Sequence, residues 1–78
     1  MSIDEQERRQ FGRRLERLMI AKGYKVTSLS VASQISGFML QRWIAGEGMP
    51  TNTSIRRLAR VLRVKTDHLT GPKTLSDN

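Results

Sequence analysis

Apolar positions recur along this chain at helical spacing, and nowhere do they alternate at the two-residue period of a half-buried strand. Phe11, Leu15, Leu18 and Met19 share one face of a first segment, with Arg9, Arg13 and Arg17 on another. The spacing predicts a helix from about Asp4 to Lys22. Its first turns are supported by the i,i+4 pairs Asp4–Arg8 and Glu5–Arg9, and Gly23 stops it. Leu29 and Ala32, one turn apart, predict a short second helix over Thr27 to Gln34. Ser36 can cap a third, from about Ser36 to Ala45, in which Leu40, Trp43 and Ile44 face the core. The run Ala45-Gly46-Glu47-Gly48-Met49-Pro50 reads as a loop, broken by its glycines and proline. Thr51 or Thr53 can cap a fourth helix, whose core face is Ile55, Leu58, Ala59 and Leu62. Thr66 can cap a last short turn that carries Leu69 and ends at Gly71-Pro72. The expected fold is all-α: a compact four- to five-helix domain over residues 1–71, followed by a flexible tail over residues 72–78.

Composition narrows the chemistry. A domain of 78 residues buries about 60 % of its unfolded surface, which leaves little room for a catalytic cleft. The chain has no cysteine, so disulfides and thiolate metal sites are excluded. No apolar run approaches the roughly 20 residues that span a bilayer. The acidic Asp4, Glu5 and Glu7 behind Met1 are unlike a signal peptide, so a cytoplasmic protein is expected. The sole histidine, His68, falls in the last short turn, and no Ser/His/Asp set, metal cluster or phosphate loop can be assembled. Neither an enzyme, a cofactor nor a small-molecule effector is expected. Fourteen Lys and Arg against seven Asp and Glu give a formal charge of +7. Such an excess on so small a body attracts polyanions, nucleic acid before acidic membranes or proteins, although it also serves solubility.

The order of elements, with Phe11-Gly12-x-Arg14-Leu15-x-x-Leu18, Lys22-Gly23-Tyr24, Leu29-Ser30, Ile35-Ser36 and Leu40-x-x-Trp43-x-x-Gly46-x-x-x-Pro50, resembles the lambda-repressor/Cro-like (Xre-type) helix-turn-helix regulators. Leu58-Ala59-x-x-Leu62-x-Val64 and Asp67-x-Leu69-x-Gly71 look like the closing helices of that family. The resemblance runs from about Phe11 to Gly71 and implies a DNA-binding transcriptional regulator of phage or prophage type, a repressor. The family usually has glycine in the turn between helices two and three, where a left-handed backbone is needed; here the residue is Gln34, at a cost of about 1 kcal/mol. Its usual small alanine is Ser30. The arginine and glutamate that many members pair between helices one and three are replaced by Met19 and Ile44. That double change is physically permitted, because two packed hydrophobes can replace a buried ion pair.

With Leu40, Trp43 and Ile44 turned inward, the helical period puts Gly37, Phe38, Gln41, Arg42 and Ala45 outward. A helix of this kind fits the major groove. Arg42 can donate twice to guanine, Gln41 can pair with adenine, Phe38 can pack on a thymine methyl, and Gly37 lets the backbone come close. Read blandly, Gln41 and Arg42 are a solvated face, and Phe38 is core or a protein contact. Met39, one turn from Trp43, reads as core filler, and Trp43 itself as core. The resemblance implies phosphate contacts at the starts of helices two and four. The matching residues are Lys25, Thr27 and Ser28, then Thr51, Asn52 and Thr53, with Arg57 one turn further on. It also implies a homodimer on double-stranded DNA, in contact around Leu62, Arg63, Val64 and Lys65. Arg60 and the Arg9-Arg13-Arg17 stripe read as solvated. The rival function is a helical protein-interaction module, an antitoxin or coregulator, using Phe38 and Met39. RNA binding is disfavoured, since no RNP-like aromatic pattern or GxxG loop is present.

Overall fold

A computed structural model describes residues 3–71, with side chains from Glu5 onward. Its elements are α1 (Ile3–Lys22), α2 (Val26–Ser33), α3 (Gly37–Ile44), α4 (Asn52–Leu62) and α5 (Asp67–Thr70). The all-α fold expected from periodicity is the fold observed, and no strand occurs among the described residues. The Asp4–Arg8 pair and the tail over residues 72–78 lie outside the described side chains and residues. Glu5 and Arg9 do pair, at 2.8 Å.

Each helix sends at least one leucine into a single core. Leu15, Leu29, Leu40, Leu58, Leu62 and Leu69 are fully buried, and Phe11, Met19, Trp43 and Ile55 fill between them. Burying one such leucine contributes about 1.5–3 kcal/mol, so the core holds even the one-turn α5 in place. α1 packs against α3, α4 and α5, while α2 packs against α3 and α4. The closest approach is at Gly12. A Cβ there would lie 2.4 Å from the Trp43 carbonyl oxygen and 2.6 Å from that of Ile44. The glycine therefore lets α1 rest directly on the C-terminal backbone of α3. Met19 is buried in the core and the half-buried Ile44 packs against that core.

Helix ends are closed by local bonds. The Tyr24 N–H reaches back to the Met19 carbonyl (2.8 Å), that of Glu47 to Arg42 (2.9 Å), and that of Val64 to Ala59 (3.0 Å). These six-to-one closures each need a left-handed residue. Gly23 (φ 80°) and Gly46 (φ 79°) supply it without a steric penalty, but at the end of α4 it is Arg63, at φ 60° and ψ 46°. Thr51 caps α4, its hydroxyl accepting from the Ser54 N–H at 3.2 Å, so Thr53 is not the cap. The cap expected of Thr66 is absent. Its backbone is already helical (φ −58°, ψ −29°), which turns the hydroxyl away from the first-turn amides, and α5 is closed by backbone bonds instead.

Candidate nucleic-acid interface

The segment from α2 to α3 is a helix, a tight turn and a second helix. α2 ends at Ser33, one residue earlier than the spacing predicts, because Gln34 is left-handed (φ 60°, ψ 36°). The backbone conformation expected at this position is therefore adopted without glycine. Ser30 fastens the turn. Its carbonyl accepts from the N–H groups of both Gln34 (2.8 Å) and Ile35 (3.3 Å), and its hydroxyl donates to the Ile35 carbonyl at 2.5 Å. An alanine at position 30 could not make the last of these bonds. Ser33, buried, donates to the Leu29 carbonyl at 2.7 Å and so needs no other partner. Ser36 then opens α3, its hydroxyl accepting from the Met39 N–H at 3.1 Å.

Leu40 and Trp43 turn α3 inward, and Phe38, Gln41, Arg42 and Ala45 emerge on its exposed side. Phe38 is 68 % exposed and so is not core. Met39 is also exposed, against the expectation that it fills the core, since Trp43 and Leu40 already close that side. Gly37 is half-buried at the start of the helix, next to Val26. The Arg42 guanidinium folds toward the C-terminal end of α3 and donates to the Glu47 carbonyl at 3.1 Å.

The residues expected at phosphates are all exposed: Lys25, Thr27 and Ser28 at the start of α2, and Thr51, Asn52, Thr53 and Arg57 on α4. Two of the hydroxyls have local work. Ser28 accepts from the Lys25 N–H (3.0 Å) and donates to its carbonyl (3.2 Å), while Thr51 donates to Ser54 Oγ (3.3 Å). By helical geometry the first-turn N–H groups of α2 and α4 lack intrahelical partners, and in α4 that of Ser54 is taken by the Thr51 hydroxyl. Arg57 and Arg60 line a shallow groove with Ala32, Ser33, Gln34 and Val61, next to the α2–α3 turn. Among the described residues Arg42, Arg56, Arg57, Arg60 and Arg63 are exposed and form no ion pair with a carboxylate.

Of the expected dimer patch, Leu62 is fully buried at the C-terminal end of α4, Val64 is half-buried, and Arg63 and Lys65 are exposed.

Residues 10–70 match the family model described as the helix-turn-helix domain. The chain belongs to that family. Membership supports DNA as the partner and transcription regulation as the field of action, and the matched segment takes in α2, the Gln34 turn and α3 whole. No curated protein and no solved structure gives a significant match to the chain. No helix among the described residues is long and apolar enough to cross a membrane.

Two features escaped sequence reasoning. The left-handed Arg63 has no compositional signal. The Ser30 bond does have one, a hydroxyl in place of a small residue four positions before a non-glycine turn.

Proposed function

We propose that this helix-turn-helix protein is a sequence-specific regulator of the lambda-repressor/Cro-like type, a phage or prophage repressor acting in the cytoplasm. In this reading α3 enters the major groove. Phe38, Gln41 and Arg42 read base edges, with Gly37 at the point of closest approach. Lys25, Thr27, Ser28, Thr51, Asn52, Thr53 and Arg57 hold phosphates and set the register. What carries the reading is the exposed side of α3, where an arginine, a glutamine and a phenylalanine stand together with no interior role. Two copies occupy paired half-sites, meeting around Arg63, Val64 and Lys65. The like charges of Arg63 and Lys65 hold free monomers apart until DNA offsets them.

Selection from random duplexes supplies the operator, and two substitutions test the roles. Arg42→Ala loses about 1–3 kcal/mol on the operator and much less on random DNA, because a bidentate base contact carries sequence information. Arg57→Ala weakens both alike, as a phosphate contact does. Equal losses on both duplexes for Arg42→Ala would remove α3 as the reader.

Phe38 also favours a second reading, a protein-docking module, because it is a large apolar side chain left in solvent. Binding that is indifferent to salt would support that module.

A further inference from the structure

Two features of the first turn of α3 have no explanation in the fold. Phe38 is 68 % exposed, whereas Phe11 and Trp43 are buried and Tyr24 is half-buried; among the described aromatic residues it is the exposed one. Gly37 precedes it in ordinary helical backbone, and it is not among the positive-φ residues. A Cβ added there would meet only Val26 Cγ1, at 3.4 Å, an ordinary contact. An alanine would fit and would favour the helix. The fold thus requires neither the bare backbone at position 37 nor the aromatic ring beside it. Phe38 and the exposed Met39 form an apolar step on the first turn of α3, held by the Ser36 cap, while the position of the missing Gly37 Cβ lies toward Val26.

We infer that this step is a reader of the pyrimidine C5-methyl group, and that the protein therefore responds to 5-methylcytosine as it does to thymine. The inference rests on α3 lying in the major groove. There, the apolar group that the four bases offer is the thymine methyl. 5-Methylcytosine carries the same methyl at the same ring position and projects it into the same groove. An aromatic ring has no hydrogen-bonding atom with which to tell the two pyrimidines apart, so the contact senses the methyl and not the base. Discrimination of T·A from C·G at that step is left to polar neighbours such as Gln41. A site that carries cytosine at this step would then bind more tightly once that cytosine is methylated, an input that no effector pocket is needed to receive.

The test uses the full chain and its selected operator. Each thymine is replaced in turn by uracil, which removes the methyl and nothing else. One position should lose about fourfold in affinity, the equivalent of ~0.8 kcal/mol for one buried carbon. At that position 5-methylcytosine should bind about fourfold better than cytosine. Phe38→Ala should abolish both differences while its thermal melt stays at the wild-type temperature, and Phe38→Leu should keep part of each. The inference is overturned if no thymine responds to uracil, or if Phe38→Ala responds as the wild type does. Either result alongside intact operator preference sinks the methyl contact alone. Failure to prefer any duplex over random DNA sinks the groove reading with it. Full operator binding by Phe38→Ala would assign the ring to a protein partner instead.

Discussion

Gln34 and Arg63 hold left-handed backbone that glycine would adopt freely, at φ 60° in each case. Gln34→Gly is therefore expected to be neutral or to stabilise by at most about 1 kcal/mol in chemical denaturation. Clear destabilisation would mean that the glutamine side chain supports the turn. Ser30 is the opposite case. Removing its hydroxyl leaves the Ile35 carbonyl without that donor, so Ser30→Ala should cost about 1 kcal/mol. An unchanged unfolding midpoint would show that water substitutes for it. The two residues also mark how far the sequence could be read. The turn at Gln34 was legible because the resemblance marks the position as one for glycine. Arg63 was not, since an arginine carries no sign of the backbone beneath it. Arg42 was legible as an exposed base, but its bond to the Glu47 carbonyl depends on how the exit loop folds back.

The helices themselves were legible from the spacing of their leucines, and the caps Ser36 and Thr51 from their side chains. What periodicity could not decide was which inward residues stay reachable. Leu62 sits on the core face of α4, where it is fully buried, although the resemblance also implies it in a dimer contact. The crossing of α1 over α3 is the element-scale feature with the sharpest consequence. Gly12→Ala drives a methyl to within 2.6 Å of the carbonyls of Trp43 and Ile44, both backbone atoms that cannot step aside. The change should cost about 1–3 kcal/mol, well beyond the gain in helix propensity, and should tilt α3 relative to α2. Operator affinity should fall with it, because the reading face moves although none of its residues has changed. Wild-type stability and affinity for Gly12→Ala would mean that the helices can separate at little cost.

For the whole molecule, the +7 charge and the unpaired arginines of α4 bear on affinity, while the exposed side of α3 bears on choice. These two contributions separate with salt. Screening weakens phosphate contacts in proportion to their number and leaves the difference between operator and random duplex largely untouched. Paired half-sites should appear as two chains per operator at saturation, and a single-half-site footprint with one chain would remove the dimer. The most direct test is the affinity for operator and for random duplex, titrated across a range of salt concentrations. Four to six phosphate contacts per chain predict that log K for one chain on one half-site falls against log[salt] with a slope of about −4 to −5 on both duplexes, the operator remaining at least about 10³-fold tighter throughout. A slope near zero, or two lines that coincide, would contradict the account of this chain as a sequence-reading DNA-binding protein.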